Sequence, residues 1–160
     1  MKITRYNLAL QCNDRIPYLV KENTKNYPEL LGATNAKEAV RVANAVFNAN
    51  LQPEEHCYMI AFRSNRIVGV FDVSHGTING ALITPKEIFS RLLLSSATAF
   101  ILLHNHPSGD TTPSKADVEI TKRLKDASRI MDIHLLDHII IGESDWDYYS
   151  FMDQSELFKH

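Results

Sequence analysis

Apolar positions change period several times along the chain, and each change marks a boundary between elements. Over the first 30 residues the alternation is weak (Tyr6, Leu8, Leu10) and Pro17 and Pro28 interrupt it. That pattern predicts one or two short strands with irregular connections. Asn35 followed by Glu38 is a helix-start signal, and Ala36, Ala39, Val40, Ala43, Val46 and Phe47 recur at helical spacing. The spacing predicts a helix over 36–49, ended ahead of Pro53. Glu55 to Phe62 and Ile67 to Val73 then read as two strands of a hairpin turning at Ser64-Asn65, followed by a loop bracketed by Gly76 and Gly80.

Thr84-Pro85-Lys86-Glu87 sets an N-cap, a proline at the first helical position and a capping-box glutamate in order. The helix that follows is expected to carry Ile88, Phe89, Leu92 and Leu93 on one face. Ala99 to Leu103 is continuously apolar, as in a strand buried on both faces. After the polar turn-former stretch HNHPSGDTTP, Ser114 opens a further helix, with Val118, Thr121, Leu124, Ala127 and Met131 expected inward. Leu135 to Ile141 is a last apolar strand, stopped by Gly142, and the tail beyond Asp145 is polar with aromatic punctuation. Strands and helices alternate after residue 30, which predicts an α/β fold: a mixed sheet covered by helices.

Composition narrows the class. A length of 160 residues suits one domain, at roughly 150 residues per domain. Hydrophobic residues at 44% and charged residues at 22% exclude disordered and fibrous classes. A net charge of −2 argues against a protein whose main affinity is for phosphate backbone. The run Leu92 to Leu103 is too short for a bilayer span, and the first residues lack the uninterrupted apolar region of a signal peptide. Cys12 and Cys57, with no CxxC, are expected to be buried packing groups of a cytosolic chain.

The chemistry concentrates in His104-Asn105-His106-Pro107-Ser108-Gly109 and in Ser114 and Asp117 beyond it. Side chains of an extended chain alternate, so His104 and His106 project to one side and Leu103 and Asn105 to the other. Two imidazoles at a strand end can grip one ion, and a loop folded back by its glycine and prolines can bring Asp117 to them as a third ligand. Two histidines and a carboxylate suit zinc and leave a position for water, although iron, cobalt and manganese accept the same set. Ser114-x-x-Asp117 is equally a capping box that needs no metal.

HNHPSGDTTPSKAD resembles the JAMM metalloprotease signature, HxH followed after seven residues by SxxD. HGTING, TPKEIF, HNHPSGD, TPSKAD and LLDHIIIG narrow the resemblance to the bacterial RadC branch of the JAB/MPN domains, from about Glu55 to Gly142. That resemblance implies a cytidine-deaminase-like three-layer α/β/α scaffold carrying a zinc-dependent, peptidase-like hydrolase, with a motif-bearing core at about 35–142. It implies His104, His106 and Asp117 as ligands of one zinc ion and Glu55 as the base that takes a proton from water and returns it to the leaving amine. Glu54 is the competing glutamate, and Cys57 stands where relatives usually have an aromatic residue. Ser114 would stabilise the tetrahedral intermediate, or serve only as an N-cap. The helix-hairpin-helix segment of longer relatives is not expected in this chain.

Other features decide less. HNH at 104–106 lacks the long ββα segment of HNH nucleases, and neither HxE with PCxxC nor HExxH occurs. His134, Asp137 and His138 are expected to pack in the core or orient ligands, with a second metal site as the alternative. Lys115, Lys122, Arg123, Lys125 and Arg129 make the last long helix basic on its outer side, a solvated face or a contact for nucleic acid. Tyr148, Tyr149, Phe151 and Phe158 could cover the domain or meet a partner. The expected partner is a peptide or protein substrate, with no membrane; a DNA-repair accessory and a non-catalytic interaction module are the competing functions.

Overall fold

A computed structural model describes residues 1–76 and 83–159. Gly80, one bracket of the loop expected after the first hairpin, lies outside the described residues. The elements run β1 (Lys2–Leu10), β2 (Pro17–Asn26), α1 (Ala36–Phe47), β3 (His56–Arg63), β4 (Arg66–His75) and α2 (Pro85–Leu94). They continue with β5 (Ala99–Asn105), α3 (Lys115–Met131), β6 (His134–Ile141), β7 (Tyr148–Ser150) and the single turn α4 (Phe151–Gln154). The strands form one mixed sheet in the order β2-β1-β4-β3-β5-β6-β7. Among the described residues, only β1–β4 and β5–β6 pair in parallel.

Helices cover both faces of the sheet. On one side α1 buries Ala39, Val40, Val42 and Ala43 against Tyr58, Ile60, Ile101 and Leu103. On the other, Ile88 and Leu92 of α2 and Ile120 and Leu124 of α3 pack on Met59, Phe71, Phe100 and Leu102. Alternate residues of β5 therefore enter opposite cores, which is why its sequence is apolar without a break. The result is the expected α/β/α sandwich around a mixed sheet. Among the described residues no helix is long and apolar enough to cross a membrane.

Start signals act where the sequence put them. Asn35 Oδ1 accepts from the Glu38 N–H at 2.9 Å, and Asn48 closes α1 in a left-handed conformation. Glu87 accepts from the Thr84 N–H at 3.2 Å at the head of α2.

Several expectations need correction. The first 30 residues form a long hairpin, β1 with β2, rather than short irregular strands. Its residues are mostly half-buried or exposed, so the sequence shows little alternation. Leu93 is 55% exposed, and the side chain buried on α2 in its place is Arg91, whose Nη1 reaches the Glu87 carbonyl at 2.8 Å. On α3 the inward row is Asp117, Ile120, Thr121, Leu124 and Ser128, while Met131 is exposed. Cys12 sits exposed beyond β1, and only Cys57 is buried. In the tail, Phe151 is buried beneath the last strands, whereas Tyr148 and Tyr149 are half-covered.

Candidate metal centre

The centre lies where β5 ends and α3 begins. His104, the sixth residue of β5, points to the α3 side of the sheet and is fully buried. Its neighbour Asn105 points the other way and ties down the chain ahead of β3. Its Oδ1 accepts from the His56 N–H at 2.8 Å, and its Nδ2 donates to the Glu54 carbonyl at 2.9 Å. Those two bonds bracket Glu55 and fix its backbone against the end of β5. Asn105 is a positioning residue that the sequence marked only by the direction of its side chain.

His106 leaves the sheet with its N–H donating to the Ile141 carbonyl at 3.0 Å. The loop then turns through Gly109, whose φ of +79° suits a residue without a Cβ. That turn brings the Asp110 carbonyl 2.6 Å from His106 Nδ1. A carbonyl can only accept, so Nδ1 carries a proton and Nε2 is the ring atom turned toward the cluster.

Ser114 caps α3 and Asp117 completes the capping box. The Ser114 N–H donates to Asp117 Oδ2 at 2.7 Å, and Ser114 Oγ accepts from the Asp117 N–H at 3.2 Å. Capping occupies one carboxylate oxygen. The other, Oδ1, is buried without a hydrogen-bond partner among the described residues, 3.2 Å from His104 Nε2. Burial pushes this carboxyl up, but the His104 ring and the Ser114 bonds outweigh it and hold it well below the usual carboxylate range.

A hydrogen-bond chain sets the remaining tautomer. The Thr121 hydroxyl lies 2.5 Å from the Asp117 carbonyl, to which it donates, so its oxygen accepts from His138 Nδ1 at 2.6 Å. Burial, with the neighbouring His104, keeps the His138 ring well below the ordinary histidine pKa, hence neutral. His138 Nε2 is then an acceptor and takes the proton of His104 Nδ1 at 2.9 Å. His104 Nε2 is thereby the ring atom turned toward Asp117, and in the neutral ring it carries the lone pair that can bind an ion. His138 itself is clamped by Phe151, stacked at 5.0 Å between centroids and 6° between planes.

Three electron-rich groups now meet. His104 Nε2 and His106 Nε2 are 3.1 Å apart, and the Asp117 oxygens lie 3.2 Å and 3.7 Å from them. With the Nδ1–H of each ring directed outward, the two Nε2 atoms and the Asp117 oxygens converge on one point, where a cation can take the place of any proton held between them. The donor chemistry and the orphaned Oδ1 fit a divalent ion held by two imidazoles and a carboxylate.

Outside the ligands opens a cavity of about 280 Å³, lined by Glu55, His106, Ser114 and Asp117 together with residues of the 108–112 loop. Glu54 is exposed and is not part of that lining. His134 is exposed at the start of β6, and Asp137 is engaged elsewhere, accepting from Ser150 Oγ at 2.6 Å and the Met152 N–H at 2.9 Å. The three residues 134, 137 and 138 form no ligand group among the described residues. Thr121, expected only as an inward-facing core residue, is instead the polar link between α3 and His138.

The sequence profile of the RadC-like JAB domain matches residues 33–157. A UPF0758 protein of Chlorobium phaeovibrioides is 45% identical over 159 residues, 98% of this chain and 66% of that relative. UPF0758 proteins of Pelobacter propionicus and Chlorobium luteolum are 50% and 43% identical over 58% and 66% of this chain, and 40% and 47% of their own length. The chain thus spans about two-thirds of the first relative's length, and the other two alignments cover under half of theirs. With a family profile covering most of its length and a relative aligned almost end to end, the chain belongs to the RadC-like JAB domain family.

Proposed function

We propose that the protein is a zinc-dependent, peptidase-like hydrolase that cleaves an amide bond in a peptide or protein by attack of water. The observation that carries this reading is the opening of a three-ligand cluster onto a cavity that also contains Glu55. When bound, zinc supplies Lewis acidity, polarising a carbonyl and lowering the pKa of water to about 7. His104, His106 and Asp117 would hold it. Glu55, tethered through its flanking backbone by Asn105, would accept the proton of the attacking water and pass it to the leaving amine. The Ser114 oxygen accepts from the Asp117 N–H, which leaves its own proton available to an oxyanion forming in the cavity. Capping and oxyanion stabilisation are compatible roles for the one hydroxyl.

An accessory role in DNA repair draws less from the structure. Of the five cations on α3, Lys125 bonds the Leu157 carbonyl and covers the Phe158 ring, and Arg129 pairs with Asp126. The hydrolase reading is tested by incubating the zinc-loaded protein with a peptide library. Cleavage is expected, with Glu55→Gln losing it while retaining zinc. No turnover by the wild type, or equal turnover by Glu55→Gln, overturns the proposal.

A further inference from the structure

A second group of ligand-type side chains lies on the opposite face of the same sheet end. His56 and His75 are direct cross-strand partners on β3 and β4, and Asp72 lies one turn of the pleat back along β4. The His56 ring stacks on Tyr58 (5.7 Å, 10°), which belongs to the core beneath α1. Glu55 lines the cavity on the α3 side. Consecutive residues thus serve opposite faces.

The distances discriminate between two explanations of the cluster. Asp72 Oδ2 is 3.4 Å from His56 Nδ1 and 3.7 Å from His75 Nε2. The first is a long hydrogen bond and the second lies beyond hydrogen-bond reach, against 2.7–3.2 Å for a good N–H···O pair. Ligands at 2.0–2.1 Å on a tetrahedral ion are separated by roughly 3.3 Å, much closer to what is seen. The two rings stand edge to face, 4.4 Å between centroids at 76°, and all three groups offer ligand atoms within 4.8 Å of one another. Asp72 Oδ1 is buried without a hydrogen-bond partner among the described residues. The nearby cation Arg5 is directed to other groups, its Nε 3.2 Å from Glu22 Oε2 and its guanidinium over the Phe47 ring.

We infer that His56, Asp72 and His75 form a second site for a divalent transition cation of the zinc class, clipping the open end of the β3–β4 hairpin directly behind Glu55. Two imidazoles and a carboxylate are the same donor set as in the first cluster, and His75, 60% exposed, leaves the ion a route from solvent.

The test is zinc content by equilibrium dialysis against zinc alone, followed by metal analysis of wild type, His75→Ala, His106→Ala and the double variant. His75 is exposed enough for its replacement to leave the fold intact, and a zinc-dependent rise in Tm of the His106→Ala protein gives an independent readout. Two zinc ions per wild-type chain are expected, one in each single variant and none in the double variant. A wild type and His75→Ala that bind equally, or a His106→Ala protein that binds none, overturns the second site. One zinc in both the wild type and His106→Ala, lost in His75→Ala, supports the second site while removing the metal basis of the proposed hydrolase.

Discussion

Thr121→Val tests the chain of hydrogen bonds behind the metal centre. Valine keeps the shape of threonine and removes one hydroxyl. The His138 Nδ1–H, 2.6 Å from that oxygen, then loses its acceptor in a fully buried setting. Keeping the proton there costs about 1–3 kcal/mol for an unsatisfied buried donor. The alternative moves the His138 proton to Nε2, which forces His104 to accept at Nδ1 and to carry its own proton on Nε2. In the metal-free protein that state is comfortable, because His104 Nε2 then faces the orphaned Asp117 Oδ1 at 3.2 Å. For an ion it is ruinous, since the proton occupies the lone pair that should bind.

The expected signature is therefore lopsided. Zinc affinity falls by about 10–100-fold, as for other losses behind a ligand, which at 1.4 kcal/mol per decade matches the hydrogen-bond cost. Stability of the zinc-free protein changes little. The assay is a competition titration against a chromophoric chelator, with thermal denaturation of the zinc-free protein and long-range ¹H–¹⁵N correlation spectra to read the ring tautomers. Thr121→Ser, which restores the hydroxyl, should recover most of the affinity. Unchanged zinc affinity in Thr121→Val, or an equal loss in Thr121→Ser, refutes the tautomer argument.

Two further outcomes follow from buried groups away from the ligands. Burial, against hydrogen bonds from Ser150 and Met152, pushes the Asp137 carboxyl up from 3.8 to about 6, so the folded chain binds a proton that the unfolded chain has released. Stability should fall as pH rises through that window, by at most about 3 kcal/mol, and urea midpoints between pH 4 and 6.5 should vary less in Asp137→Asn than in wild type; parallel profiles would remove Asp137 from the account. At Gly142, a Cβ would lie 2.1 Å from Asp147 Oδ2 and 2.9 Å from Thr111 Cγ2, and Oδ2 is held at 3.0 Å by the Glu143 N–H. Gly142→Ala should therefore cost about 1–3 kcal/mol by overpacking, read as a lower urea midpoint, and an unshifted midpoint would show that the Asp147 turn yields freely.

Much of this was legible in the residues because local and tertiary demands coincide. Asn35 and Ser114 start helices by accepting from a backbone N–H three residues on, and at Thr84 the backbone N–H is capped by the Glu87 carboxylate, which sequence spacing reports directly. The family resemblance rested on a short motif whose loop is closed by its own groups, from Gly109 to the His106–Asp110 contact. Where the reading failed, a long-range demand had overridden a local one. On α3 the apolar pattern alone favoured a face through Val118 and Met131, but the cap turns Asp117 inward, and the buried row follows it through Thr121, Leu124 and Ser128. The β1–β2 hairpin was underestimated because such half-exposed strands need few apolar residues. It is secured by pairing, including the Thr4–Thr24 hydroxyl contact at 2.9 Å. Asn105 and Thr121 carried no signal as positioning residues, since their partners lie 49, 51 and 17 positions away.

The capping box at Ser114 and the proposed ligand role of Asp117 are compatible, and the first prepares the second. Capping consumes Oδ2 and locks the side chain in the first turn of α3, where the aligned backbone N–H groups already favour a negative charge. That lock is what prevents Oδ1 from rotating toward solvent and leaves it facing His104. A carboxylate held this way loses little conformational freedom when an ion binds, so more of the coordination energy survives as affinity. The metal-free protein must likewise hold a carboxylate oxygen and two imidazole nitrogens within a few ångströms of one another. A helix cap is a cheap device for enforcing that convergence, because its own hydrogen bonds form whether or not the ion is present.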